Sequence, residues 1–281
     1  MNYAYLINIR KPDYQLLQPN QRKFQILILS ILLLLVSSCK KVISPDLKNA
    51  KPVLVIDGKI SDQSENHFVR ISKTIPFDQK NTFNGFKEAK VTLSNANTAL
   101  VTFIEISDGV YRSPRFKGVP GTTYKLEVLA EGKVYSASST MPYPVIPDSV
   151  SFKKLTFLRN STIYPSIYYK DPPKIQNQYR YLLQVNNKAV ADIVTEDRFN
   201  DGNAVSDIII YDGSGIKTGD RVDIEMQSID RNVFKYYFAI SQIGGNGGPP
   251  IAPANPESNF NNGALGIFNA STKSSISITL K

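Results

Sequence analysis

The chain has very few residues of the kinds that build disulfide, metal and redox sites. Its 281 residues include one cysteine, one histidine, three methionines and no tryptophan. A single cysteine excludes an internal disulfide, so stability must come from hydrophobic cores. A single histidine, His67, excludes a multi-histidine zinc centre. A serine–histidine–acid hydrolase would have to use His67, but no nucleophile elbow accompanies it and its run resembles an exposed strand. We therefore expect no metal, no cofactor and no catalytic constellation.

The excess of positive charge is small. The formal net charge of +9 is spread along the chain, without a basic stripe that alternates with aromatic residues. Proteins that bind nucleic acid usually concentrate such charge on one face. Nucleic acid is therefore not an expected partner.

Long hydrophobic runs are also scarce, and the one that stands out is near the start. Residues 26–36 are apolar except for Ser30, follow Arg22 and Lys23, and are soon followed by Cys39. The run is too short to cross a membrane, which takes about 20 residues. A basic flank, an apolar stretch and small residues before a cut are typical of a secretory signal.

Residues 36–39, Val-Ser-Ser-Cys, resemble the lipobox of bacterial lipoproteins. The resemblance implies a diacylglycerol on Cys39 and removal of residues 1–38 as a leader. Residues 39–52 would then be a lipidated tether, and the membrane a partner. Lys40 and Lys41 would favour anionic headgroups by about 1 kcal/mol each.

Alternating apolar and polar residues predict a mostly β protein. Tyr124, Leu126 and Val128 alternate with polar residues before a turn at residues 131–132, and similar short runs recur along the chain. We expect an immunoglobulin-like β-sandwich at residues 53–145 and a second β domain at residues 146–281. Three prolines in residues 141–147 predict a stiff linker between them.

One segment of the second domain has helical spacing. Residues 230–243 place Val233, Tyr236, Tyr237 and Ile240 on one face, and Asp230 can serve as the N-cap. The sequence predicts one amphipathic helix here.

The helix is followed by a segment rich in glycine and proline, residues 244–263. A loop of this length in a compact domain is usually functional or mobile. The apolar residues available to bind a partner are Ile251, Phe260, Leu265 and Phe268. Phe260 and Phe268 could equally pin the segment onto the β domain.

Two groups of acidic residues have alternative interpretations. Asp223 and Glu225 share a strand face, which suits either glycosidase chemistry or simple solvent exposure. Calcium could use the oxygens of Asp197, Asp201, Asn203 and Asp207, although their spacing favours a polar hairpin loop.

Five tyrosines lie close together in the second half of the sequence: Tyr164, Tyr168, Tyr169, Tyr179 and Tyr181. They could form a binding patch, but the preference of tyrosine for β-strands is enough to explain them.

Several segments together suggest a family. They are LVIDGKISD at 54–62, FKGVPGTTYKL at 116–126, YSASSTMP at 135–142, VDIEMQSI at 222–229 and FNNGALGIF at 260–268. Their order and content resemble a Bacteroidetes lipoprotein family, domain of unknown function 4249, from residue 39 to about residue 280. The resemblance implies an outer-membrane lipoprotein that accompanies a TonB-dependent transporter, and it carries over no catalytic residues.

These observations favour a lipid-anchored, non-catalytic binding or accessory protein of the cell envelope, with the membrane face left open. Two alternatives are an envelope hydrolase that uses carboxylates of the second domain, and a structural or adhesive surface lipoprotein.

Overall fold

The computed structural model describes residues 51–281, apart from residues 77–78, 81, 97, 199, 212, 214 and 244–254, together with residues 23–24. The predicted leader cleavage, the lipid site Cys39, most of the tether and Ile251 lie outside the described residues. Where the structure describes the chain, none of its helices has the length and apolar character needed to span a membrane.

Fourteen strands and one helix account for most of residues 51–281, which confirms the mostly β fold. The strands are β1 Leu54–Ser61, β2 Phe68–Lys73, β3 Lys90–Asn95, β4 Thr98–Ser107, β5 Val110–Arg112, β6 Thr123–Ala130, β7 Lys133–Thr140, β8 Ser149–Phe157, β9 Asn160–Lys170, β10 Gln178–Val185, β11 Lys188–Glu196, β12 Ala204–Ile208, β13 Arg221–Ile229 and β14 Leu265–Thr279. The helix α1 is Arg231–Ile243.

Eleven strands form one sheet in the order β11-β10-β13-β14-β1-β2-β5-β4-β3-β6-β7, and β12-β9-β8 form a second. All pairings in the large sheet are antiparallel except that of β1 with β14, which is parallel and begins with Val55 opposite Leu265. Because β14 also pairs with β13, the large sheet contains strands from both halves of the chain.

The first core lies between β1, β2 and β14 on one side and β3, β6 and β7 on the other. Gly58 allows a close approach there, since a Cβ at this position would lie 2.7 Å from Leu126 Cδ2 and 3.4 Å from Phe268 Cδ2. A side chain at residue 58 would therefore force the Leu126 side chain to move within the packed core.

The segment before β14 fills the seam between β7 and β14. Phe260 forms a β-bridge with Ala137, and the Asn261 amide donates to the Ser136 carbonyl at 3.0 Å. Further along, Ser139 Oγ accepts a hydrogen bond from the Ala270 amide at 3.1 Å. The far end of the chain is thereby held against β7.

The second core lies between the small sheet and the β10–β13 part of the large sheet. It buries Ile167 and Tyr169 of β9 together with Tyr181 and Leu183 of β10 and Ile224 of β13. Helix α1 forms a third, smaller cluster in which Val233 and Phe234 pack with Ile229 and Ile267.

The division into residues 53–145 and 146–281 stays a prediction. Residues 48–281 group as one compact unit. The first core also includes Phe260, Ala264, Phe268 and Ala270, which come from the C-terminal segment of the chain.

Candidate functional site

A groove runs across the face of the large sheet that lies opposite the first core. Its floor consists of side chains from six adjacent strands, β10, β13, β14, β1, β2 and β5. Residues 65–67, which precede β2, complete the wall. The groove has a volume of about 640 Å³, which is within the usual range for a small-molecule site.

Strand register explains why these side chains meet. Two neighbouring rows cross the sheet, one made by Val110, Arg70, Asp57 and Ile267, the other by Arg112, Phe68, Lys59 and Asn269. Alternate residues of a strand point to opposite faces, so Asp57 and Lys59 face the groove while Ile56 and Ile60 are buried in the first core.

The charged side chains of the groove nearly balance. The four basic residues are Lys59, Arg70, Arg180 and Lys273, and the three acidic residues are Asp57, Glu65 and Glu225. Lys59 pairs with Asp57, and Lys273 pairs with Glu65, each with an N–O distance of 2.9 Å. Arg180 pairs with Asp192, which lies outside the groove lining, so the four basic residues are balanced by four acidic ones.

Two acceptors in the groove are buried and have no hydrogen-bond partner among the described residues. They are Oδ1 of Asn269 and Oδ1 of Asp57. Asn269 is 2% exposed, whereas Asp57 is partly exposed and uses its other oxygen to accept from Lys59. Most buried polar groups in folded proteins have a partner, so these two atoms distinguish the groove from an ordinary sheet surface.

Arg180 of β10 forms a rigid part of the groove floor and contacts helix α1. Its Nε and Nη2 donate to the two oxygens of Asp192 at 2.7 and 2.5 Å, and its Cζ lies 3.7 Å from the centre of the Tyr237 ring. Burial lowers the pKa of Arg180, but Asp192 outweighs this effect and the pKa is raised overall. Burial raises the pKa of Tyr237 to about 12.

His67 is buried rather than exposed on a strand face, so the expectation from sequence was wrong. Its ring packs edge-on against Phe116, and Nε2 lies 3.2 Å from the Phe116 carbonyl oxygen. Burial lowers its pKa, so the ring is neutral near pH 7. The predicted exposure was wrong because the β-bridge between residues 65 and 116 brings the Phe116 ring against that of His67.

Ser61, Glu65 and His67 lie close together but are not arranged as a catalytic triad. Ser61 Oγ donates to Glu65 at 2.6 Å, and His67 Nδ1 lies 3.9 Å from the same carboxylate oxygen. Burial raises the pKa of Glu65, but hydrogen bonds from Ser61 and Lys273 outweigh it and lower the pKa overall. In a triad the serine would donate to the imidazole, which would be the base.

The carboxylates of β13 line the same face. Glu225 accepts from Gln227 at 2.5 Å, and Asp223 accepts from Arg221 at 2.8 Å. Hydrogen bonds from Ser277 and Arg221 lower the pKa of Asp223. A glycosidase acid needs a raised pKa, so Asp223 is suited only to a role as an anion.

The structure brings together part of the acidic group that suggested calcium. Carboxylate oxygens of Asp171, Asp197 and Asp201 lie within 4.8 Å of one another. Asp171 accepts from Tyr179 Oη at 2.6 Å, and Asp197 accepts from the Asn177 amide at 2.9 Å. These bonds fit the alternative of a polar loop held by its own carboxylates.

The two remaining residues of that group take no part in this cluster through their side chains. Asn203 accepts from the Asp171 amide with its backbone oxygen at 2.9 Å. Asp207 accepts from Tyr181 Oη at 2.7 Å instead. Tyr169, Tyr179 and Tyr181 are buried in the second core, where they fill strand faces.

The residues predicted to bind a partner have different environments. Phe260 and Phe268 are buried in the first core, at 7% and 0% exposure, so they pin the segment onto the β domain. Leu265 is half-buried at the start of β14. Partner binding by the segment itself stays a prediction.

Sequence reasoning did not find the groove. Asp57 and Lys59 belong to β1, Arg180 to β10 and Asn269 to β14, and nothing in the sequence indicates that β1 pairs with β14. The available signal was local: Asn269 is a polar residue inside the otherwise apolar run of residues 266–270 in β14.

Comparisons with known proteins give one family and a distant likeness to solved structures. No curated protein matches the chain. Among solved structures, the chain is similar to "Structure of Yersinia pseudotuberculosis adhesin InvE", with 13% identity, a TM-score of 0.21 and coverage of 62% of this chain. The match spans 55% of the adhesin chain, and a TM-score this low carries no argument.

The family model described as "Domain of unknown function (DUF4249)" matches residues 40–277, which is most of the chain and includes every strand of the groove. The chain therefore belongs to the DUF4249 family.

Proposed function

We propose that the protein is a non-catalytic binding protein of the cell envelope, anchored in the outer membrane by a lipid on Cys39 and accessory to a TonB-dependent transporter. The groove is the observation that carries the binding part. It is concave, combines charged with apolar side chains and is built on six adjacent strands, and two of its buried acceptors have no partner among the described residues. Rigid sheet positions of this kind hold a ligand-binding constellation well.

A binding role fits the chemistry of the groove better than catalysis does. Ser61 donates to a carboxylate rather than to a base, and His67 faces a backbone carbonyl. The acidic residue Asp223 has a lowered pKa. Ser61 and His67 stabilise the groove but are not arranged as a nucleophile and its base, and Asp223, which lies outside the groove lining, is not suited to protonate a substrate.

The anchor is supported by the sequence. The apolar run at residues 26–36 ends three residues before Cys39, and the family match begins at residue 40. In a host that processes lipoproteins, Cys39→Ala should abolish acyl labelling and move the protein from the detergent phase to the aqueous phase. Ser38→Ala is the matched control and should keep the label. Unchanged partitioning of Cys39→Ala would refute the anchor.

Transporter association is tested by co-purification from native envelopes. The tagged chain should recover an outer-membrane transporter in amounts that fall with Cys39→Ala, because the anchor raises the local concentration of the protein at the membrane. Recovery of no envelope partner would refute the accessory role. A hydrolase that uses Asp223 and Glu225 would then be the better candidate.

A further inference from the structure

We infer that the groove on the large sheet binds a neutral ligand that carries many hydroxyl groups, namely an oligosaccharide. This inference rests on the proposed binding function and gives it a ligand class. The starting observation is Asn269, which is 2% exposed, lines the groove and leaves its Oδ1 without a hydrogen-bond partner among the described residues. A buried polar atom of this kind is costly unless something supplies the missing bond.

A second acceptor lies in the neighbouring row. Asp57 Oδ1 is also buried and unpartnered among the described residues, while Asp57 Oδ2 accepts from Lys59. Lys59 stands opposite Asn269 in the parallel pairing of β1 with β14. The floor therefore presents two acceptors beside a lysine that already has a partner, and a ligand has to bring hydrogen-bond donors.

The charge of the groove argues against an ionic ligand of either sign. A cationic ligand would meet four basic residues, Lys59, Arg70, Arg180 and Lys273, whose charges already balance those of Asp57, Glu65, Glu225 and Asp192, so the groove offers it no net negative charge. An anionic ligand would meet the two unpartnered acceptors at the floor. The remaining class is neutral and rich in donors, because it satisfies the acceptors without breaking the ion pairs.

Hydroxyl groups fit this floor better than amides. A hydroxyl both donates and accepts, so it can bond Asn269 in either orientation of the side-chain amide. The groove also contains the apolar surfaces of Phe68, Val110 and Leu182. Phe68 is 43% exposed, so its ring can cover the C–H face of a sugar while the hydroxyls reach the floor.

An extended peptide is the less suitable occupant. Peptides that bind sheets usually add a strand at an edge, where backbone groups are unpaired. The six groove strands lie inside the eleven-stranded order, whose edges are β11 and β7. Only side chains are available on the groove floor.

The experiment titrates the full chain, purified in detergent, with neutral hexasaccharides of different linkage: maltohexaose, cellohexaose, laminarihexaose and mannohexaose. Calorimetry gives the affinity, and NMR shifts of backbone amides locate the site. At least one neutral sugar should bind and shift residues of β1, β2 and β14. Phe68→Ala and Asn269→Ala should each weaken that binding about tenfold, the effect of one lost contact of ordinary strength.

Two controls keep the test decisive. Phe157→Ala removes an aromatic ring that is 80% exposed outside the groove, and it should leave binding unchanged. Phe68 is partly exposed, so its variant remains informative if Asn269→Ala fails to fold. Length-matched chitosan and galacturonan hexamers supply a cationic and an anionic sugar, and both should bind more weakly than the neutral ligand.

Several outcomes would overturn the inference. These are no binding by any neutral sugar at millimolar concentration, tighter binding of either charged hexamer, or binding that Phe68→Ala and Asn269→Ala leave intact. If detergent partitioning and transporter co-purification persist in any of these cases, the ligand class fails while the proposed accessory function stands.

Discussion

Phe268 is completely buried where β14 meets the first core, beside Gly58 of β1. We expect Phe268→Ala to lower the free energy of unfolding by about 3–5 kcal/mol, because it removes a large buried ring and leaves a cavity. Chemical denaturation monitored by circular dichroism measures this loss. The exposed Phe157 is the control, and Phe157→Ala should change stability by less than about 0.5 kcal/mol. Equal effects of the two substitutions would contradict the assignment of Phe268 to the core.

Asp171 should make the stability of the fold depend on pH. Burial raises its pKa, and the charges of Asp197 and Asp201 raise it further. The folded state therefore binds this proton more tightly than the unfolded state, and the resulting stability is lost as the pH rises through the raised pKa. Asp171→Asn has no carboxyl proton to lose, so its stability should not fall in this way, and its amide oxygen can still accept the hydrogen bond from Tyr179 Oη.

The measurement for Asp171 is the melting temperature of both proteins from pH 3 to pH 8. The melting temperature of Asp171→Asn should exceed that of the unchanged protein by an amount that grows as the pH rises from the ordinary aspartate pKa. This difference should level off once the pH is above the raised pKa of Asp171. Asp148→Asn, at an exposed aspartate of the loop before β8, is the control. A difference that is constant across the pH range would show that Asp171 does not titrate in this way.

At the scale of elements, helix α1 is attached to the sheet through its N-cap. Asp230 Oδ1 accepts from the amides of Asn232 and Val233, both at 2.9 Å, while Oδ2 accepts from Ser139 and from the Thr140 amide of β7. One carboxylate thus caps the helix and joins it to the other end of the sheet.

Asp230→Ala should lower the free energy of unfolding by about 1–2 kcal/mol, since an N-cap alone contributes about 1 kcal/mol and the bonds to β7 add to it. Asp230→Asn keeps the acceptor for the cap and should lose less. Denaturant midpoints compare the two variants. Equal losses would indicate that the cap contributes nothing and that only the carboxylate charge matters.

Elements bounded by residues with strong conformational preferences could be predicted from the sequence, whereas elements without such residues could not. The turn at residues 131–132 and the helix after Asp230 follow from residues with strong conformational preferences, and both are confirmed: Glu131 and Gly132 have positive φ, and α1 begins at Arg231. Strand β9 was not predicted because Pro165 interrupts it. Pro165 is tolerated since the pairing of β9 with β12 ends at Ser166.

At the scale of the molecule, the predicted boundary near residues 141–147 can be tested with a fragment. A chain of residues 48–147 lacks β14, the parallel neighbour of β1, and also lacks Phe260 and Phe268 of the first core. We expect this fragment to unfold without cooperativity, because it exposes one edge of β1 and leaves the core incomplete.

The readout for the fragment is a thermal melt followed by near-ultraviolet circular dichroism, with residues 48–281 as the control. Cooperative melting of the fragment alone would support an independent first domain at residues 53–145. Recovery of a cooperative transition on adding a peptide of residues 255–281 would show that the missing strand is the cause.

The groove could not be predicted because it depends on the pairing of β1 with β14. The fragment of residues 48–147 lacks the same pairing and is therefore expected to unfold without cooperativity. The groove residues lie far apart in the sequence, and one of their contacts, from Lys273 Nζ to Glu65, joins residues 208 positions apart. Periodicity finds strands but does not state which strand lies beside which. The alternation of polar residues in β1 can be read from the sequence. That Asn269 lies beside this polar face follows only from the pairing of β1 with β14.

The pairing of the first strand with the last also determines when the fold can form. During synthesis, β1 cannot pair with β14 until the end of the chain has been made. The core around Gly58 therefore remains incomplete until residue 270 has been added. Contacts at such long separation make folding slow. A nascent chain of this kind can complete its first core only near the end of its synthesis, and one edge of β1 has no partner strand until then.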